Sequence, residues 1–154
     1  MEPVLAWVLD LGRERVGAVG GGEMVHLLTE KPRTFEIPRS PPYARHVFIW
    51  QDRIVPLIDI LHRIEGDPMD GHAGTVGIVR YHPGPDEPAQ LGGVRLAGVP
   101  RRTRVTDEQA CALPAEAEPW RAFVVSCFEH DGGPVPVLDL PRVFAAPAGT
   151  VDSE

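Results

Sequence analysis

Short apolar runs interrupted by glycine, proline and charged residues set the rhythm of the chain. Runs at 4–11, 15–19, 24–28 and 33–37 alternate with such breaks and read as strands. The run 46–50 meets 53–57 across Gln51-Asp52, a two-residue break that predicts a hairpin although neither residue is the glycine such turns favour. Further strands are predicted at 75–81, 91–99, 122–128 and 134–138, with an exposed loop over 82–90 and a turn over 129–133. Thr106 ahead of Asp107-Glu108-Gln109 sets a hydroxyl before acidic residues and marks a brief helix, after which 112–119 has loop composition.

The pattern also repeats. Val55-Pro56-Leu57-Ile58-Asp59-Ile60 recurs as Val135-Pro136-Val137-Leu138-Asp139-Leu140, eighty residues on. Each copy closes a run rich in β-formers, and each Asp stands where it would cap a short helix, 60–64 or 140–144. Pro141 suits the first turn of the second helix, where its missing N–H is not needed. Between the copies, 65–74 has turn formers and almost no hydrophobic content. The expected organisation is one domain over 1–154: a subdomain at about 4–66, a connector at 67–74, a second subdomain at about 75–146 and a tail at 147–154.

Composition narrows the class. With 154 residues, 43% of them apolar and 24% charged, the chain can bury one compact core, and 16 Gly with 17 Pro favour turns and short strands. A net charge of −7 argues against nucleic acid or an anionic membrane surface as a partner. The longest uncharged apolar runs, such as 47–50, fall far short of the ~20 residues that span a bilayer. Cys111 and Cys127 match no metal-type C-x-x-C spacing, and no apolar signal segment suggests export. Two free thiols in a reducing cytoplasm are expected.

Catalytic and cofactor motifs are not found. Gly17, Gly20, Gly21 and Gly22 fit neither G-x-G-x-x-G nor a P-loop. His26, His46, His62, His72, His82 and His130 are dispersed without an H-E-x-x-H pair, so no metal is expected. Ser40 and Ser126 lack a nucleophile-elbow context, and Glu65, Asp67 and Asp70 read as solvated carboxylates of the connector. The one basic cluster, Arg101, Arg102 and Arg104, could grip carboxylates or phosphates, but no aromatic residue is interleaved with it as a stacking platform for bases.

The order of segments from Trp7 to Phe144 resembles the CheW-like family of bacterial chemosensory adaptors. Leu11-Gly12-Arg13-Glu14-Arg15-Val16-Gly17 is similar to the family's L-G-x-x-x-[YF]-x opening. The stretch Ile37 to Val47, with Pro38, Pro41 and Tyr43, is similar to its l-P-x-x-P-x-[YF]-[VI]-x-G-[VI] segment and leads into Arg53-Ile54-Val55-Pro56-Leu57-Ile58-Asp59-Ile60. Gly93 to Val99 followed by Val105-Thr106 resembles the second-half segment, and Val135 to Leu140 closes the order.

The resemblance implies a mainly β fold of two small five-stranded barrels packed together, with short helices. It implies a cytoplasmic, non-enzymatic scaffold at chemoreceptor arrays, without cofactors. Such a scaffold couples the tip of methyl-accepting receptors to the regulatory domain of a CheA-type histidine kinase, and associates with other CheW-like proteins. Kinase contacts would fall at His46, Val47, Ile49, Gln51 and Asp52, and a receptor groove at Val25, Leu27, Val76, Val99 and Arg102. The family's G-[VI]-x-N-x-R-G is altered here: His46, Ile49, Gln51 and Asp52 stand for its Gly, Asn, Arg and Gly, while Ala97 replaces an Asp and Arg102 an apolar residue. Altered or lost kinase binding is the consequence. The alternative is a barrel-type nucleic-acid-binding module, or an accessory protein-interaction domain outside chemotaxis.

Overall fold

The computed structural model describes residues 3–68 and 74–145. The expected tail, most of the expected connector, Asp70 and His72 lie outside the described residues. The strands are β1 (Val4–Gly12), β2 (Arg15–Gly20), β3 (Met24–Leu28), β4 (Phe35–Glu36), β5 (His46–Trp50), β6 (Arg53–Ile58), β7 (Thr75–Tyr81), β8 (Gln90–Leu96), β9 (Arg101–Val105), β10 (Val124–His130) and β11 (Gly133–Leu138). Two short helices, α1 (Ile60–Glu65) and α2 (Leu140–Val143), follow β6 and β11 directly.

These strands form two curled sheets, ordered β10-β11-β2-β1-β9 and β3-β7-β8-β6-β5-β4. Without β4 the second sheet repeats the order of the first. Each has a hairpin, β10–β11 or β5–β6, joined in parallel to the second strand of another hairpin, with Val137 opposite Ala18 and Leu57 opposite Gly93. The hairpins on either side of a parallel join come from opposite halves of the sequence. Thus β1–β2 complete the sheet of β9, β10 and β11, while β7–β8 complete that of β3, β5 and β6. The sheets do not follow the division at 67–74: the repeat marks similar units, and those units exchange hairpins to cover their edges.

Each curled sheet holds a small inner cluster. Phe48, Val55, Leu57, Val76 and Ile78 fill the six-stranded sheet, whereas Ala18, Phe128 and Val135 fill the five-stranded one. Between the sheets lies the main core, with Leu9, Leu11 and Val19 from one side, Val79, Val94 and Leu96 from the other, and Ile60, Leu61, Ile64, Leu140 and Val143 from the helices. Two glycines of β8 permit this packing. A Cβ on Gly93 would stand 2.6 Å from Phe48 Cε1, and one on Gly92 2.3 Å from Phe144 Cζ. Phe144 itself stacks on Tyr81, with ring centroids 5.0 Å apart.

Tertiary contacts explain the departures from the predicted elements. The strand predicted at 91–99 stops at Leu96, and an unpredicted strand, β9, pairs with β1 through Ala6–Thr103 and Leu5–Arg104. Its arginines suit a sheet edge, where charge blocks further pairing. The expected loop at 112–119 and the start of the strand predicted at 122 are 3₁₀ turn over Ala115–Phe123. Buried Trp120 anchors it by donating from Nε1 to Glu65 Oε2 at 2.7 Å. Arg15 Nε donates to the same oxygen at 2.9 Å, so Glu65 is a bridging acceptor and not a solvated carboxylate. Asp67 lies 3.5 Å from Arg13 Nη1.

The two aspartates of the repeat act differently. Buried Asp59 caps α1, accepting from the His62 amide at 3.1 Å. Asp139 occupies the same position before α2 but makes no side-chain cap, its carboxylate lying 3.5 Å from Arg142 Nε. Arg63 ties the helices together: it donates to the Tyr43 hydroxyl and to the carbonyls of Arg142 and Ala145, with its guanidinium over the Tyr43 and Phe123 rings. Burial raises the Tyr43 phenol above its ordinary pKa, with Arg63 opposing.

Candidate docking surface

The β5–β6 hairpin has a filled face and an open one. Phe48 and Val55 pair across the strands and point inward, while Ile49 and Ile54 pair one step nearer the tip on the outer face. Those two isoleucines are 60% and 73% exposed, the second being the most exposed large hydrophobic residue among those described. Phe35 on β4 lies opposite Val47 and extends the apolar surface, with Arg33 over its ring at 5.2 Å. At the tip, Gln51 and Asp52 both take left-handed backbone, φ 50° and 64°, closing the predicted two-residue turn. Of the expected kinase-contact residues, Val47, Ile49, Gln51 and Asp52 therefore lie along this face and its tip.

His46 does not. It shares the parity of Phe48, and it lines a cavity of about 290 Å³ with Tyr43, Arg45, Asp59, His62 and Arg95. Its Nε2 is 3.9 Å from Glu36 Oε2. Ile54 and Phe35, on the other hand, belong to the surface although the sequence did not single them out. Their cross-strand partners, Ile49 and Val47, were the available signal.

The second hairpin provides an internal control. Residues 48–58 of β5–β6 match residues 128–138 of β10–β11 position for position, with Phe48 as Phe128, Val55 as Val135, Pro56 as Pro136, and the turn Gln51-Asp52 as Asp131-Gly132. On the outer face the chemistry changes: Ile49 becomes Glu129 and Ile54 becomes Pro134. The hairpin folds with either pair, so folding alone does not require isoleucine there.

The expected receptor-groove residues do not form one surface. Val25 and Leu27 lie on β3, the edge of the six-stranded sheet. Val76 is only 2% exposed and packs with Phe48 inside that sheet, so it cannot line a groove. Val99, 67% exposed, follows β8 and borders a groove of about 820 Å³ with Val8, Val16, Arg101 and the acidic residues Asp10, Glu14 and Asp131. Arg102 lies on β9, its guanidinium 5.9 Å from the Trp7 ring.

Strand alternation also divides the basic cluster. Arg101 lies opposite Val8, whereas Arg102 and Arg104 lie opposite Trp7 and Leu5 on the other face of the sheet. The three arginines are not a single phosphate-binding patch. Among the described residues no three His, Cys, Asp or Glu side chains are placed to hold a metal, and no helix is long and apolar enough to cross a membrane.

The model of the CheW-like domain matches residues 22–148, most of the chain and both hairpins. The chain belongs to the CheW-like family. A comparison with curated proteins gives no match. Among solved structures, the scaffolding protein TtCheW from Thermoanaerobacter tengcongensis has the same fold, with a TM-score of 0.74 at 16% identity over 92% of each chain. This CheW-like chain thus keeps the family's architecture while its own residues set the surface. The segment 46–52 forms a tight hairpin, with Ile49 on its outer face and Gln51 and Asp52 at its turn.

Proposed function

We propose that this CheW-like chain is a non-catalytic coupling scaffold of a cytoplasmic chemosensory array, working without a cofactor. The outer face of β4, β5 and β6 docks the regulatory domain of a CheA-type histidine kinase. One observation carries this reading: Ile49 and Ile54 stand exposed where the matching hairpin of the same chain has Glu129 and Pro134. Solvent-facing apolar side chains that the fold does not need favour a protein partner. Loss of the family's arginine at Gln51 shifts recognition from a charged fork toward apolar contact.

The receptor tip is received elsewhere, by members of the second set: exposed Val25 with half-buried Leu27 on the β3 edge, or exposed Val99 and Arg102 at β9. A scaffold of this kind transmits a signal only through contacts that differ between kinase-active and kinase-inactive arrangements. Titration calorimetry against the kinase regulatory domain, with the receptor tip as parallel titrant, tests the assignment. Micromolar or tighter kinase binding that is weakened roughly thirtyfold in Ile54→Glu supports a coupling scaffold. Receptor binding alone makes the chain an accessory array protein, and steeply salt-dependent binding to nucleic acid would replace the reading altogether.

A further inference from the structure

The sulfurs of Cys111 and Cys127 lie 3.3 Å apart. Cys127 is on β10 and buried, while Cys111 follows the isolated Ala110–Phe128 bridge and is half-buried. The Cys111 amide donates to the Cys127 carbonyl at 3.1 Å, so backbone pairing holds the two residues face to face. The pair is the counterpart of Phe35 and Val47 beside the first hairpin. An S–S bond of about 2.05 Å needs only a small approach from this position, with the backbone already held. A cavity of about 220 Å³, lined by both cysteines with Leu113, Arg121, Val124 and Val125, gives a small reagent access.

We propose that Cys111 and Cys127 form a reversible dithiol–disulfide site that exchanges with low-molecular-weight disulfides. Cys111, the more exposed thiol, attacks as its thiolate one sulfur of the small disulfide. One small thiolate leaves, and a mixed disulfide remains on Cys111. The Cys127 sulfur then attacks the Cys111 sulfur, breaking the mixed disulfide and expelling the second small thiolate, which takes up the Cys127 proton. Two protein thiols are oxidised, one small disulfide is reduced, and two small thiols are released.

Burial, followed by the Cys111 contact, pushes the Cys127 thiol up to about 12, which fits a resolving group that stays protonated until the mixed disulfide is beside it. The new bond would close residues 111–127 into a loop containing Trp120, whose indole reaches Glu65. Oxidation thereby fastens the 3₁₀ segment over the main core. In a reducing compartment the site rests as two thiols and reports oxidising episodes.

The test is the full chain equilibrated in mixtures of reduced and oxidised glutathione, quenched by alkylation and weighed intact. The expected product takes up no alkyl group, is two hydrogens lighter than the unalkylated dithiol, reverts on adding reductant, and melts about 5–10 °C higher. Cys127→Ser should stop with one glutathione attached, and Cys111→Ser should take up none while folded. A wild-type chain that stays reduced in oxidised glutathione, ends as a stable mixed disulfide, or forms only linked dimers would overturn the proposal. That readout on the wild type decides the matter even if a variant fails to fold.

Discussion

Hairpins β5–β6 and β10–β11 are built to one plan inside and differ outside. Facing inward, Phe48 and Val55 correspond to Phe128 and Val135, and each hairpin runs through a proline to an aspartate before a short helix. Facing outward, Ile49 and Ile54 correspond to Glu129 and Pro134. The inner positions answer to the fold, since both copies must fill a curled sheet. Outer positions are free of that demand, and their divergence separates what packing requires from what a surface is for.

The largest test of this division lies in the cores. Phe48 packs among Val55, Leu57, Val76 and Ile78, whereas Phe128 has the smaller companions Ala18 and Val135 and lines a groove of about 330 Å³. Phe48→Ala should therefore cost about 4 kcal/mol and Phe128→Ala about 3, because the looser site relaxes more readily around the lost ring. Urea denaturation of both variants measures this. A larger loss at Phe128 would mean that the five-stranded sheet is the better-packed half.

Next in size is the strand beneath each ring. Gly93 opposes Leu57 as Ala18 opposes Val137, yet only Gly93 lies so close to a ring that a methyl would overlap it. Gly93→Ala should destabilise by about 2–3 kcal/mol through overpacking. Ala18→Gly, the reciprocal change, should cost only about 1 kcal/mol, mainly in backbone entropy. Thermal unfolding of the pair distinguishes a steric requirement in one sheet from a general preference for small residues in both.

On the outer faces the readout passes from stability to binding. Ile49→Glu and Ile54→Glu should each leave stability within about 0.5 kcal/mol. Each should weaken binding of the kinase regulatory domain by about 2 kcal/mol, roughly thirtyfold. Glu129→Ile should leave that affinity unchanged. Calorimetry that found equal losses on both hairpins would erase the functional distinction between them.

The repeat and most strands were legible because local alternation and Gly/Pro punctuation encode them. The exchange of hairpins was not, since pairing Val137 with Ala18 or Leu57 with Gly93 joins residues distant in sequence. Likewise β9 carries three arginines in five residues, and its strand character comes from the β1 edge it pairs with rather than from its own composition. At the candidate surface, Ile49 was proposed through a resemblance, whereas Ile54 is recognised only by its exposure, which is a property of the assembled sheet. The same limit placed buried Val76 among groove residues and left Arg63 and Trp120 unmarked.

The smallest effect lies in the turns. Gln51 and Asp52 hold φ of 50° and 64°, where side chains other than glycine cost energy, while the second hairpin has Asp131 at 54° and Gly132 at 80°. Asp52→Gly should therefore stabilise the chain by about 0.5 kcal/mol, relief of strain being partly offset by the greater freedom of glycine in the unfolded state. The reciprocal Gly132→Asp should cost a similar amount, and chemical denaturation of the two variants makes a matched pair. Unchanged kinase affinity in Asp52→Gly would confine that surface to Ile49, Ile54 and their apolar neighbours. Lower affinity despite higher stability would mean that the strained turn serves the docking surface through its carboxylate.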